Sequence, residues 1–274
     1  MSEDQQDLSL DRFLHILEIN KSTPKLENLN KIIKSFLTKI PFETISKLYY
    51  KNKYNLCTIP DLELYLDGIE NSKFGGTCYS NNYYLNLLLK YLGYDVIMCG
   101  ADMNDPDVHI VNIVKIDEHD YLVDVGYWAP FIEAIPFFLK EEQIVTNGND
   151  NYFINLQKSN SNIRVDHYRE DKRIHGYTAR PINRTIEYFE KTIEQSYSGD
   201  STFMNNILLT RFTDNGFIIL RNLTLVITNK DKLNIKKIKS FGELPNVIEN
   251  QFHISADITK NALTGLKSSP ELWE

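Results

Sequence analysis

Cys78, His109 and Asp124 are the residues whose types and settings in this sequence fit nucleophilic chemistry. The thiol follows paired glycines in Phe74-Gly75-Gly76-Thr77-Cys78-Tyr79. The imidazole lies in the β-prone run Val108-His109-Ile110-Val111, and the carboxylate in Leu122-Val123-Asp124-Val125-Gly126. Taken singly, each has an ordinary structural reading: a core thiol, a hydrogen-bonded core histidine, a residue at a strand end. In combination they supply a thiolate nucleophile, a base for its proton and a carboxylate that orients the base. A helix N-terminus and a neighbouring imidazolium both favour a thiolate. The glycines permit a sharp turn and a close backbone approach, so N–H groups there are expected to form an oxyanion hole. A carboxylate between two valines is costly to bury unless paired, and orienting a histidine offsets that cost.

The elements that must position these groups follow from periodicity. Tyr83, Tyr84, Leu87, Leu88 and Tyr91 recur at helical spacing, so a helix is expected from Cys78 to Leu92, closed by Gly93, with Cys78 at its first turn. Tyr94 to Met98, Val108 to Ile116 and Tyr121 to Val125 then read as antiparallel strands. A symmetric hairpin about Asp117 to Asp120 sets Asp124 opposite Ile113, about four residues or roughly 13 Å along the strand from His109. Twist, an offset register or an intervening strand must close that gap.

Upstream, apolar stripes from Leu8 to Ile19 and from Leu26 to Leu37 mark two helices. The second ends before Pro41, and Pro60 opens a third through Ile69. Downstream, Asn147-Gly148-Asn149-Asp150 marks a hairpin turn, a second hairpin turns about Arg221-Asn222, and a helix is expected over Glu243 to Gln251. The 274 residues show no internal repeat or long linker and exceed one minimal core.

A net charge of -7 argues against nucleic-acid or anionic-membrane partners. Lys236, Lys237 and Lys239 form the densest basic cluster and read as a solvated face. The acidic, polar run from Met1 to Leu10 lacks the pattern of a secretory signal. The most apolar stretch, Tyr127 to Leu139, is interrupted by Pro130, Glu133 and Pro136, so a cytoplasmic location is expected. Cys57, Cys78 and Cys99 show neither metal-binding spacing nor a disulfide framework, and no metal is expected.

At these residues the chain resembles the arylamine N-acetyltransferases, whose nucleophile lies in Arg-Gly-Gly-x-Cys, with a histidine on a following strand and an aspartate in Val-Asp-Val/Ala-Gly-Phe. Ile40-Pro41-Phe42-Glu43 resembles the family's Pro-Phe-Glu-Asn segment, and Asn82 follows the cysteine as a family asparagine does. Ser201-Thr202-Phe203, the hairpin after Arg211 and Glu243 to Phe252 resemble the third region. The resemblance implies an α+β fold with a cysteine-protease-like catalytic core. It implies a helical domain over 1–92 carrying the cysteine, an antiparallel β-barrel over 93–195 carrying the histidine and aspartate, and an α/β lid over 196–274. It also implies ping-pong transfer of an acyl group from a thioester, acetyl-CoA, through Cys78 to an arylamine, arylhydrazine or N-hydroxyarylamine. Phe42, Tyr127, Trp128 and Phe203 are the implied substrate contacts, and Gly126, Ser201 and Thr202 the implied cofactor contacts.

Three departures from the family pattern bear on this reading. Phe74 replaces the arginine, which takes a partner away from Glu43. Trp128 stands where the family has a small glycine, which narrows the entrance near Tyr127. Asp102, Asp105 and Asp107 precede His109 and make a poor surface for the phosphates of coenzyme A, so a non-CoA thioester donor is the alternative. A thiol hydrolase or amidase with the same Cys-His-Asp order is a second alternative, and a catalytically silent binding protein a third.

Overall fold

Leu29, Ile32, Ile33, Phe36 and Leu37 share one helical face, and the helix Leu26–Lys39 buries all five. The computed structural model describes residues 3–138, 141–157, 159–230 and 232–266. In it, the helix Glu3–Leu17 precedes this one, and Leu62–Ser72 follows, with Asp61 as its N-cap accepting from the Leu64 N–H. Pro60 stands immediately before that N-cap. The helix Cys78–Tyr91 begins at the cysteine, and Gly93 takes φ +83 beyond its end. Met1, Leu139 and residues 267–274, which bound several of the expected segments, lie outside the described residues.

The chain divides into two compact units. The first joins the residues up to Leu37 to Asn81–Phe189 and is built on an antiparallel sheet. In spatial order its strands are Ile135–Pro136, His119–Val123, His109–Ile116, Asp95–Asp102, Lys172–Ala179, Ile163–Arg169, Asp150–Leu156 and Gln143–Asn147. The sheet curls into a nearly closed barrel. Cys99, Val111, Leu122, Ile154, Val165 and Tyr177 fill it, as the two-residue period of a strand requires. The expected turn at Gly148-Asn149 is present, flanked by the pair Asn147 and Asp150.

The second unit, Thr38–Ser80 with the chain from Glu190 onward, holds a sheet in the order Phe42–Glu43, Leu208–Thr213, Gly216–Arg221, Thr224–Asn229, Lys232–Lys237. Its second hairpin turns at Asn222-Leu223, one residue later than the sequence suggests, because Asn222 takes the left-handed φ of 48. The outermost strand, Lys232–Lys237, is exposed at every position, and its lysines discourage further edge pairing. Leu244–Phe252 is the expected closing helix. Several helices were not expected, among them Glu190–Gln195, Ala256–Leu263, and Ile45–Tyr54, whose three lysines obscure its apolar stripe. Among the described residues, no helix is long and apolar enough to cross a membrane, and no cluster of His, Cys, Asp or Glu suits a metal ion.

Candidate active site

In the first unit, Asp117 and Glu118 both take positive φ, 49 and 63, and form a two-residue turn whose twist suits a hairpin. The resulting register pairs Ile116 with His119 and Asn112 with Val123. The expected register, with Asp124 opposite Ile113, is therefore wrong by two residues. The strand delivers Asp124 just beyond the Asn112 pairing, and no intervening strand is needed. His109 Nε2 and Asp124 Oδ2 stand 2.8 Å apart, with both residues almost wholly buried, 1% and 2% exposed.

Burial alone would raise the Asp124 pKa. Attraction to His109, with hydrogen bonds from His109, Asn82 and the Gly126 N–H, outweighs it and holds the carboxyl below its ordinary value. An ionised Asp124 only accepts, so Nε2 carries the proton of this bond. Oδ1 accepts from Asn82 Nδ2 and from Gly126 N, each at 2.9 Å. Gly126, expected to contact a cofactor, thus directs its amide at the carboxylate.

Asn82 fastens the base to the helix. Its Nδ2 also donates to the Ile110 carbonyl at 2.7 Å, and its Oδ1 accepts from Val125 N at 3.0 Å. One turn further along the helix, Asn86 Nδ2 donates to Asn112 Oδ1 at 2.8 Å, and Asn112 Nδ2 donates to the Asn82 carbonyl at 2.9 Å. Two buried asparagines at i, i+4 on this helix, Asn82 and Asn86, are the sequence signal for this clamp.

Aromatic rings enclose the imidazole. The His109 ring lies 4.9 Å from Tyr177 and 5.8 Å from Tyr127, centroid to centroid. Tyr127 Oη shares a 3.0 Å hydrogen bond with His175 Nδ1. Burial, with the like charges of His109 and His167, pushes the His175 pKa down to about 4. Trp128 is half-buried and stacks on Tyr127 at 5.3 Å and 17°. Its φ of 42 lies in the left-handed region, which explains why a glycine suits this position.

The loop before His109 is less acidic than its sequence suggests. Arg180 pairs with Asp102 at 3.1 Å and also with Asp107, and Tyr188 Oη donates to Asp107 at 3.1 Å. Asp105 is exposed.

Cys78 belongs to the second unit. There the Phe42–Lys47 segment is fastened to the glycine turn: Glu43 N donates to the Gly76 carbonyl at 3.0 Å, and Glu43 Oε1 accepts from Gly75 N at 3.1 Å. Gly76 N donates to the Pro41 carbonyl at 3.4 Å. Both glycine amides are thus engaged in holding the turn against the Pro41–Glu43 segment. A Cβ on Gly75 would meet the Pro41 carbonyl oxygen at 1.9 Å, so close backbone approach is what this glycine serves. Glu43 also accepts from Ser46 N at 2.8 Å, and burial pushes its pKa up. These backbone donors serve Glu43 where the family has an arginine. Phe74 packs between Tyr49 and Tyr50 at 5.6 and 5.5 Å.

Phe42 and Phe203, both implied substrate contacts, meet edge to face at 5.7 Å. The Ser201 hydroxyl donates to the Ser196 carbonyl at 2.7 Å, and Thr202 begins a single helical turn, Thr202–Asn205.

Comparison with known proteins places this arrangement in context. A family model described as N-acetyltransferase matches residues 25–261. The pineal gland arylamine N-acetyltransferase isozyme NAT-3 of Gallus gallus is 25% identical over 275 residues, covering 85% of this chain and 89% of the relative. The arylamine N-acetyltransferase structure from Mycobacterium abscessus shares the fold with a TM-score of 0.78 at 17% identity, covering 95% of each chain. That of Mycobacterium marinum, solved in complex with CoA, gives 0.75 at 18% identity over 92% of this chain and 96% of the other.

Proposed function

This chain belongs to the arylamine N-acetyltransferase family and is an acyltransferase, and from that premise we propose that it moves an acyl group from a thioester, acetyl-CoA, through Cys78 to an aromatic amine, hydrazine or N-hydroxyarylamine. The observation that carries this reading is the 2.8 Å bond between His109 Nε2 and the ionised Asp124. With Nε2 protonated toward the carboxylate, a neutral His109 keeps its basic lone pair on Nδ1. That nitrogen takes the Cys78 proton as sulfur attacks the thioester carbonyl, and the same proton leaves with the departing thiol. The product of the first half is a Cys78 thioester. In the second half the amine nitrogen attacks this carbonyl, Nδ1 takes its proton, and the proton returns to the Cys78 sulfur as the amide departs.

Asp124 fixes the tautomer and stabilises the imidazolium formed in each half. The family resemblance implies Phe42, Phe203, Tyr127 and Trp128 as aromatic contacts for a planar acceptor. The likeness to the Mycobacterium marinum enzyme solved with CoA supports acetyl-CoA as donor, and the Arg180 pairs lower the electrostatic objection raised by Asp102 and Asp107. Incubation with acetyl-CoA, followed by intact mass and peptide mapping, tests this. An acetyl increment on Cys78 that an arylamine discharges is expected. Acetyl-CoA turnover without amine would instead mark a hydrolase.

A further inference from the structure

Arg164 and Asp166 flank Val165 on the strand Ile163–Arg169, and Val165 fills the barrel. The two-residue period of a strand therefore turns both charged residues outward. Gly176 is the register partner of Asp166 on the neighbouring strand Lys172–Ala179 and precedes Tyr177, which also fills the barrel. It shares their outer face. Arg173, from the same strand as Gly176, reaches across to Asp166.

One arginine is enough for this carboxylate. Arg164 grips Asp166 with two parallel bonds, Nε to Oδ2 at 3.0 Å and Nη2 to Oδ1 at 2.5 Å, and gives Nη1 to the Thr178 hydroxyl at 3.0 Å. That is a complete fork on a carboxylate. Arg173 comes second to the same oxygen, donating Nε to Oδ1 at 2.6 Å. Its two terminal nitrogens bond nothing among the described residues. Two positive charges thus share one negative charge, on a chain whose net charge is -7.

Gly176 lets the two guanidiniums converge. A Cβ at this position would meet Arg164 Nη2 at 2.8 Å, Arg173 Nη2 at 2.9 Å and the Val165 carbonyl oxygen at 2.5 Å. Terminal nitrogens of both arginines therefore stand over one glycine, where any side chain would displace them. The side chains of Arg164 and Arg173 are 24% and 48% exposed, so a solute can reach them. Like charges gathered in this way repel, and a second anion would offset that repulsion.

We propose that Arg164 and Arg173 form a phosphate-binding site over Gly176, on the outer wall of the barrel. The free Nη1 and Nη2 of Arg173 present a fork to two phosphate oxygens. Arg164 Nη2 gives one of its two hydrogens to Asp166 and offers the other to the same group. The phosphate is carried by coenzyme A, which rests on the acyl-donor reading above, or is free phosphate. The chemistry that recognises it is the same.

The test measures binding by the full chain as wild type, Arg173→Gln, Asp166→Asn and Arg169→Gln, with circular dichroism confirming that each folds. Inorganic phosphate and coenzyme A are titrated separately by calorimetry at low ionic strength. Arg173→Gln is expected to weaken binding about tenfold, the scale of one charge-assisted hydrogen bond. Asp166→Asn should strengthen it, because the carboxylate competes with phosphate for the same guanidiniums while the amide still accepts a hydrogen bond. Arg169 lies on the same hairpin but is bonded to Asp150. Arg169→Gln removes an equal charge and should change affinity by less than about twofold.

A loss for coenzyme A in Arg173→Gln would assign the site to the donor, and a loss confined to inorganic phosphate would make it a site for the free anion. No binding of either probe by wild type, or equal affinity of wild type and Arg173→Gln for both, would overturn the site. So would weaker binding in Asp166→Asn, or a loss in Arg169→Gln as large as that in Arg173→Gln, which would mark general attraction to basic side chains. Coenzyme A carries no acyl group, so none of these measurements needs Cys78 to react. Failure of acetyl-CoA to acylate Cys78 would therefore sink the donor reading and leave the phosphate site standing.

Discussion

His109 presents Nε2, not Nδ1, to Asp124 Oδ2 at 2.8 Å, and that choice of nitrogen fixes which edge of the ring is basic. Asp124→Asn removes the charge that stabilises the imidazolium and permits the wrong tautomer. The Cys78 acylation rate is expected to fall by at least about a hundredfold, the usual scale of a positioned acid–base group. His109→Gln should fall at least as far. Single-turnover intact mass measures both, and wild-type acylation in Asp124→Asn would remove Asp124 from the triad.

Asn82 offers a sharper test of positioning. Its side chain bonds Asp124, the Ile110 carbonyl and Val125 N at once. Asn82→Ala leaves those buried partners short and is expected to destabilise by about 1–3 kcal/mol. With one fewer donor on Oδ1, the Asp124 pKa should rise, and the acidic limb of the acylation profile should move to higher pH. A loss of stability with an unmoved acidic limb would make Asn82 merely structural.

The parts of this molecule that depend on local pattern could be read from the sequence, and those that depend on distant pairing could not. The Cys78 helix, the strands around His109 and the turn at Gly148 rest on periodicity and on residues adjacent in the chain. The Asp117-Glu118 turn defeated the register because two acidic residues in left-handed backbone carry no obvious turn signature, and one turn length decides where Asp124 falls. Arg180 is more than seventy residues from the aspartates it neutralises. Nothing in the local sequence marks Lys47 as buried, because Ser196, 149 residues later, and the neighbouring Tyr197 are what cover it.

That pairing reverses an electrostatic expectation for the donor. By charge count alone, neutralising Asp102 should strengthen the binding of coenzyme A phosphates. With Asp102 tied to Arg180, Asp102→Asn is expected to shift the KM for acetyl-CoA by less than about twofold at low salt. Arg180→Gln should raise it several-fold, because it releases the charges of Asp102 and Asp107 together. An uncharged thioester should be indifferent to both. Should Arg180→Gln leave the acetyl-CoA KM unchanged at low ionic strength, the phosphates bind away from this loop.

His175 and Asp124 both contribute to how the fold responds to acid. His175 is held neutral with a pKa of about 4 against an ordinary 6.5. Because the folded value is the lower, its contribution to stability is complete above pH 6.5 and is lost as pH falls from there through 4. Asp124 is also depressed, so its contribution is complete above the ordinary 3.8 and is lost only as pH falls through its lower folded value. Urea unfolding between pH 7 and 4 should therefore show a decline on the order of 2 kcal/mol that His175→Gln flattens. Asp124→Asn should alter the response below pH 4. An identical slope in His175→Gln would show that this ring is not what acid charges first.

Trp128 joins backbone strain to the shape of the aromatic wall. Its φ of 42 places a bulky residue in left-handed backbone, while its ring gains by stacking on Tyr127 at 5.3 Å and tilting against His175 at 5.5 Å. Stacking of this kind contributes about 0.5–1.5 kcal/mol beyond area burial, comparable with the roughly 1–2 kcal/mol that a Cβ costs in this conformation. Trp128→Ala and Trp128→Gly both lose the ring, but only glycine also loses the strain. Trp128→Gly is therefore expected to be more stable than Trp128→Ala by about 1 kcal/mol in urea unfolding, the reverse of the usual order for these two residues. If Trp128 also narrows the entrance near Tyr127, the two variants should gain alike in kcat/KM for a bulky arylamine over aniline. A shared change in selectivity with opposite ranking in stability separates the ring's role from the backbone's. Equal stability would mean that the φ of Trp128 relaxes once its ring is gone.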